Sequence, residues 1–590
     1  MLFSTLLLAG QLGQATAQLK PSGDPWSPPD ASKGSEPSKG QPNSQWTTVL
    51  GDSLWFYDAQ RSGKLDKGSY GNRVPWRNDS GLDDGSDYGV DLTGGWYDAG
   101  DYIKCTFPLT FTMYALTWSA LSWGTGFEDA KQTAYLDSTL RWGFDWFQKA
   151  HPKDDVLFMQ VGSSEVDNGY WGGDQSIPTP RPSYPINASH PGTDGWASVS
   201  AAMSLGAMLY SGSALNSSSA STIAPLQDQK YADALLNHAK TLYNTANGTK
   251  PYAVFSDSVK EIGDAYVSSG YQDELALAAL SLALATNQSD YYADAYSYYK
   301  QYALTSQQKV WNWDSKLPAL YVMFAEVSRA RPGLAADAGL DANVTGWQKE
   351  AEQYFDAIVD DKVKSATMTD GGLLFYDGDS DEASLNPAIA AATLMLHYAP
   401  IASSDDKKSK YRDFARSQID YALGKNPMNV PYMVGLHPNS PKNPHSGLSS
   451  GGTNLNDIRN SPEEEAHVLY GAVVGGPLKN DKFWDYRDDW VQNEVALDYN
   501  ANWPGIAAYM IANGEDDPYY VGVKDSFQRP SDEPCDAALP CGGGGLSGGG
   551  IAGVVVGVIC GVIILAIIAL WCFKKRDPYR WSRISQKFKH

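Results

Sequence analysis

The stretch Gly94-Gly95-Trp96-Tyr97-Asp98-Ala99-Gly100-Asp101 sets two carboxylates three residues apart in a glycine-rich turn, beside two aromatic rings and just ahead of an apolar helical run. Glycines let a backbone come close to a ligand, and two acids held together can share and orient one water molecule. The same pattern suits a helix N-cap, which favours Asp, or a calcium loop, and the turn alone leaves all three open. Far along the chain, Phe483-Trp484-Asp485-Tyr486-Arg487-Asp488-Asp489-Trp490-Val491-Gln492-Asn493-Glu494 leads into the apolar run that holds Tyr499, Asn500 and Ala501. Burial against those rings would raise the Glu494 pKa and keep it protonated, as a general acid requires. A glutamate in a first helical turn is equally what the helix dipole favours without any chemistry. Taken together, a protonated carboxyl at one place and a carboxylate pair at another are the apparatus of glycoside hydrolysis.

At this point the sequence resembles the family-nine glycoside hydrolases, mostly endo-β-1,4-glucanases. Residues 98–101 match the family's Asp-Ala-Gly-Asp motif. Phe483, Asp485, Trp490, Glu494, Ala496, Asn500 and Ala501 match its C-terminal signature. Asp145-Trp146-Phe147-Gln148-Lys149-Ala150-His151-Pro152, Gln160-Val161-Gly162, Ser269 to Leu275, Trp313-Asp314-Ser315-Lys316 and Gly471 to Pro477 add to the likeness, which covers about residues 45–515. The resemblance implies an (α/α)6 barrel, hydrolysis of β-1,4-glucan such as cellulose with inversion, and no cofactor. It implies Glu494 as acid, Asp101 as base on water, Asp98 as a second holder of that water, and Asp485 as a further site carboxylate. Inversion calls for ~6.5–9.5 Å between the acid and the base. Trp96, Trp171, Trp313, His445 and Tyr499 are candidate sugar contacts, each of which could also be core. Two departures stand out. Where the family carries His-His-Arg after a Tyr-x-Val-Gly turn, this chain has Tyr432-Met433-Val434-Gly435 and then Pro444-His445-Ser446-Gly447. Ser198 stands near where a helical Glu is usual. His437 is a candidate replacement for the missing donors.

The elements that must position these residues read as all-α. Apolar residues recur at helical spacing in 107–123, 134–150, 196–211, 229–245, 272–286, 290–305, 316–330, 346–360, 384–398, 409–423, 464–474 and 494–513. Twelve helices can close as six hairpins into a toroid. The long loops 61–104, 151–192 and 424–463 would then shape a cleft at one end, since long ordered loops in a compact domain are usually functional.

Around this region, 45–525, the chain carries other signals. Residues 1–17 read as a signal peptide, with Leu6-Leu7-Leu8-Ala9 ahead of a small-residue Ala15-Thr16-Ala17 site. Residues 18–44, rich in Pro, Ser and Gly, read as a disordered lead-in. Residues 526–550, with two glycine runs, read as a stalk. Ile551 to Phe573 is an uncharged run long enough to cross a bilayer, followed by Lys574-Lys575-Arg576 and a basic tail to 590. The expectation is a single-pass plasma-membrane protein with its catalytic domain outside and its C-terminus in the cytosol. Gly553, Gly557 and Gly561 have the spacing for pairing of membrane helices. Net charge is −22, and −28 without the last seventeen residues, which carry seven Lys or Arg against one Asp. So acidic a body excludes nucleic acid as partner and leaves a neutral polymer acceptable. Of five cysteines, Cys535 and Cys541 are close enough in sequence to pair, Cys105 is left over, and no zinc-type spacing exists. Sequons begin at Asn78, Asn187, Asn216, Asn247, Asn287 and Asn343.

Overall fold

The computed structural model describes residues 18–541, apart from 22, 66–70, 216–222 and 263–264. Within it, twelve helices of ten residues or more alternate between two rings. The outer ring is formed by α1 (Ser44–Gln60), α3 (Thr133–Ala150), α5 (Gln229–Gly248), α7 (Ser289–Gln301), α9 (Val344–Val359) and α11 (Asp405–Ala422). The inner ring is formed by α2 (Thr106–Asp129), α4 (Thr193–Tyr210), α6 (Gln272–Thr286), α8 (Leu317–Ala330), α10 (Leu385–Tyr398) and α12 (Trp503–Ala512).

Burial separates the rings. Every residue of α4 and of α10 is buried, whereas α5 buries only Ala232, Leu235, Ala239, Leu242, Tyr243 and Ala246, a single stripe at helical spacing. Each inner helix packs on an outer one: α2 with α3, α4 with α5, α6 with α7, α8 with α9, and α10 with α11. The sixth pair joins the ends of the region, because α12 packs on α1. Inner helices follow one another from α2 to α10, α10 then meets the turn Leu497–Asn500 that leads into α12, and α12 packs on α2. This is the (α/α)6 barrel. At one end β1 (Lys104–Cys105), β2 (Leu157–Val161) and β3 (Ser183–Ile186) form a small antiparallel sheet in the order β1-β2-β3. It ties the long loops together.

Several expectations need correction. Residues 464–474 are not helical: Val473 and Val474 make isolated bridges to Met433 and Val495. Gly471, at φ +79°, lies so close to the Asp52 carbonyl that a Cβ there would be 1.8 Å away. The expected helix 494–513 is two pieces, Leu497–Asn500 and α12. The unforeseen twelfth helix is α1, buried nearly all round, so it shows no amphipathic stripe. Residues 18–44 are not a loose lead-in. The Leu19 amide donates to Asp137 Oδ2 (2.8 Å), the Trp26 amide to the Tyr135 hydroxyl (2.7 Å), and the Asn43 side chain caps α1. The start of the expected stalk is also fastened: Arg529 Nε donates to the Trp484 carbonyl (2.6 Å), and Lys482 pairs with Asp532 (2.5 Å).

The barrel unit ends at Glu533; a second unit from Pro534 contains the Cys535–Cys541 disulfide. Cys105 is free and buried. The signal peptide 1–17, the segment 542–550, the apolar run 551–573 and the tail 574–590 lie outside the described residues. No helix among the described residues is long and apolar enough to cross a membrane.

Close helix packing gives a first test. A Cβ on Gly126 of α2 would sit 2.0 Å from the Ala508 carbonyl of α12. Gly126→Ala therefore lowers stability, with overpacking of about 1–3 kcal/mol outweighing the ~1 kcal/mol of helix propensity gained. Urea melts of the barrel unit check the sign.

Candidate active site

Three segments widely separated in sequence meet at the loop end of the barrel, and main-chain hydrogen bonds join them. The Asp98 carbonyl accepts from Leu497 N (3.0 Å), the Gly100 carbonyl from Gly447 N (2.8 Å), and the Asn493 carbonyl from His445 N (2.7 Å). Gly100 is required at this junction, because a Cβ there would lie 2.0 Å from the His445 carbonyl. The turn is fixed from below by Gln60, whose amide donates to the Ala99 carbonyl (2.6 Å).

These bonds bring five acids together. Asp98 and Asp101 stand on the turn; Glu494 and Asp498 flank the start of Leu497–Asn500; Asp167 comes from the loop after β2. Asp98 is buried and accepts the Tyr266 hydroxyl at Oδ2. Burial pushes its carboxyl well up, the Tyr266 bond opposes this, and the charges of Asp498 and Glu494 add to it. Asp101 is also pushed well up, by burial first, then by Asp167, Glu494 and Asp98. Glu494 is raised to about 8, chiefly by burial, then by Asp498 and Glu382, while the Gly100 N–H pulls the other way. Asp498 is raised to about 7 by burial, against the amide of Asn386, which donates to its Oδ2 (3.0 Å). At neutral pH Glu494 is therefore protonated, close enough to Asp98 and Asp101 for its charge to act on both. A proton donor facing a water-holding pair is what acid-assisted cleavage of an acetal needs.

The aromatic candidates divide. Trp313 is half-buried, with its ring edge-on to Tyr266 at 4.8 Å. Tyr499 is half-buried beside Glu494. His445 donates from Nδ1 to the Arg487 carbonyl (2.7 Å), which leaves Nε2 free, and burial holds its pKa down and its ring neutral. Its ring lies 4.9 Å from Trp171. Trp171 in turn lines a groove of about 580 Å³ with Trp76, Asp174, Gln175, Thr453 and His467, where the Trp76 and His467 rings stack at 4.8 Å.

Trp96 is not a sugar contact. It is 1 % exposed, packed under the turn, and its Nε1 donates to the Tyr57 carbonyl (2.8 Å). Asp485 is not among the reacting groups either. Its carboxylate accepts the amides of Lys442 and Asn443 (3.1 Å each) and the Asn443 side chain, so it braces the loop that carries His445. His437 is buried away from the turn, its Nδ1 accepting from Asn439 N (3.1 Å), and replaces nothing there. Arg487, fully buried, is committed to Glu465 and to the carbonyls of Ile458 and Pro462. Ser198 faces a cavity of about 10 Å³ inside the barrel with Glu274 and Lys316.

Sequence reasoning missed Tyr266, Asp167 and Asp498. Asp498, four residues after Glu494, was the one with a usable signal; the other two stand in loops with no distinctive spacing.

The pattern described as Glycosyl hydrolase family 9 matches residues 46–507. Endoglucanase A of Bacillus pumilus is 35 % identical over 474 residues, 79 % of this chain and 66 % of that protein. Endoglucanase 14 of Arabidopsis thaliana is 34 % identical, over 80 % of this chain and 94 % of its own length. Among solved structures, an endoglucanase from the termite Nasutitermes takasagoensis superposes with a TM-score of 0.69 at 34 % identity, covering 80 % of this chain and 99 % of that one. A cellulase of C. cellulolyticum in complex with cellobiose gives 0.66 at 30 % identity, covering 79 % and 98 %.

The electrostatics yield a test. Carboxyl-carbon NMR of the ectodomain should show Glu494 titrating near pH 8. Asp498→Asn should lower that midpoint, because it removes the nearest like charge. An unmoved midpoint would show that Asp498 does not act on Glu494.

Proposed function

The chain belongs to glycosyl hydrolase family 9, and on that premise we propose that it hydrolyses internal β-1,4-glucosidic bonds of cellulose or a related β-glucan with inversion. One observation carries the reading: main-chain bonds bring the segments of Asp98, Asp101 and Glu494 together, next to His445, whose ring lies against Trp171 of the aromatic groove. The endoglucanase relatives and the cellobiose complex of a similar fold support the substrate class.

In this reading Glu494 protonates the leaving oxygen, Asp101 takes a proton from water, and Asp98, braced by Tyr266, holds that water. Trp313, Tyr499, His445 and Trp171 bind the sugar rings. The proton donor is needed in its neutral form, so activity falls as pH rises through about 8. The base is needed ionised, so activity also falls in acid.

The remaining sequence supports a location. The uncharged run 551–573, the basic residues after it and the N-terminal signal support a single-pass plasma-membrane protein with its catalytic unit outside. A tether limits reach to nearby polymer, which favours remodelling of the cell's own wall over degradation of distant material.

The test is reducing-end release from soluble β-1,4-glucan by the ectodomain, with xylan, mannan and chitosan as competitors. Glu494→Gln is expected to reduce kcat by about 10²–10⁴-fold, the usual contribution of a general acid. Anomeric NMR of the first product is expected to show the α-anomer. No release from any β-glucan by the unmutated protein would refute the reading, and a β-anomer would refute inversion.

A further inference from the structure

Asp167 has no part in the scheme above, yet it is as closely engaged with the site as any of its acids. It closes the short turn Ser164–Asn168 and is 5 % exposed. Its Oδ2 accepts two main-chain amides, Tyr102 N (2.8 Å) and Ile103 N (3.0 Å), from the two residues that follow Asp101. These bonds set its carboxyl beside that of Asp101, on which its charge acts, while Asp101 Oδ1 is buried with no partner.

Two carboxyl groups share a hydrogen bond only when one of them carries a proton. Two amide donors favour the ionised form of the group that accepts them. Asp167 is that group, so when the pair takes up a proton it goes to Asp101 and Asp167 stays an anion. Arg181, already bonded to Asp84, adds a positive charge on the Asp167 side. The other charged groups facing the pair are Asp98 and Glu494, both of which disfavour an anion on Asp101.

We propose that Asp167 is a positioning residue for hydrolysis: an anion fixed beside Asp101 that makes Asp101 a stronger base and receives its hydrogen bond once it is protonated. The proposal rests on Asp101 being the base. As water attacks, its O–H bond breaks and the proton passes to Asp101. The water oxygen bonds to the anomeric carbon, and the bond to the leaving oxygen breaks with its electron pair. That oxygen takes the proton of Glu494. Asp101, now neutral, donates to Asp167. Return of one proton from Asp101 to solvent and uptake of one by Glu494 restore the site, with one water consumed.

The experiment is the pH profile of kcat/KM on soluble β-1,4-glucan for the unmutated ectodomain, Asp167→Asn, Asp167→Glu and Asp101→Asn. An Asn oxygen can still accept both amides, so Asp167→Asn removes the charge and keeps the bonds. Its acid limb is expected to move down by roughly one pH unit or more, with kcat at the optimum reduced about tenfold by the weaker base, and with the alkaline limb and KM unmoved. Asp167→Glu is expected to bring the acid limb back towards its original position. An unmoved acid limb in Asp167→Asn, with Asp101→Asn inactive, overturns the proposal alone. Full activity in Asp101→Asn overturns the assignment of the base. Carboxyl-carbon NMR of the unmutated protein gives a check independent of any substitution: Asp101 and Asp167 are expected to titrate in two coupled steps, and two independent titrations in the ordinary carboxylate range overturn the proposal.

Discussion

The site depends on a seam of main-chain hydrogen bonds that locks the Asp98–Asp101 turn to two segments from near the other end of the chain. Acids crowded together repel each other when ionised, and side-chain contacts alone would let them part. Here the carbonyl of Asp98 and the carbonyl of Gly100 are themselves acceptors for Leu497 and Gly447. The carboxyls cannot move apart unless the backbone does. The barrel makes the seam possible by closing on itself: α12 follows the Glu494 segment, α1 leads towards the turn, and these two helices pack as a pair.

Once the acids are held, burial raises every one of them, so burial alone assigns no roles. The distinctions come from individual donors. Tyr266 gives a hydroxyl to Asp98, Asn386 an amide to Asp498, the main chain two amides to Asp167 and one to Glu494. A site that runs acid and base chemistry together needs titratable groups pushed apart in this way.

The outer helices other than α1 were legible in the sequence because each has one wet face. α5 and α9 announce themselves by periodicity. α1 did not: α4 and α10 are buried as fully but read as apolar runs, whereas α1 interrupts its apolar residues with polar ones, among them Asp52 and Asp58, that are buried with the rest. The false helix at 464–474 has the opposite cause: an apolar run held extended between glycines imitates helical spacing over a short window. Of the site, the two motifs pointed to the right segments, but a motif does not say which way a side chain faces. Trp96 and Asp485 sit inside the two motifs and support them from beneath, while Trp313 and His445 came only with the family resemblance. Tyr266 reaches the site through one hydrogen bond and Asp167 through two main-chain amides, each across long loops, and no spacing in a sequence encodes those.

The departure at Ser446-Gly447 follows from the same seam. Gly447 donates its amide to the Gly100 carbonyl, and a Cβ on it would lie 3.0 Å from the Gly172 carbonyl. A side chain at 447 must thread between these carbonyls, and a glycine lets the loop sit directly on the turn that bears the acids. The guanidinium nearest this loop, that of Arg487, is already spent on Glu465 and two carbonyls. The groove beside His445 offers flat rings, Trp171 and the stacked Trp76–His467 pair, next to the polar side chains of Asp174, Gln175 and Thr453, a mixture that suits the apolar faces and the hydroxyls of a sugar alike. Flat rings do not depend on charge for contact, so a polymer without charge can lie along them despite the strongly acidic chain around. Rings grip a chain of sugars with little regard to register, while the seam fixes the acids at one point on its path. Cleavage at internal bonds is the outcome that such a division of labour favours.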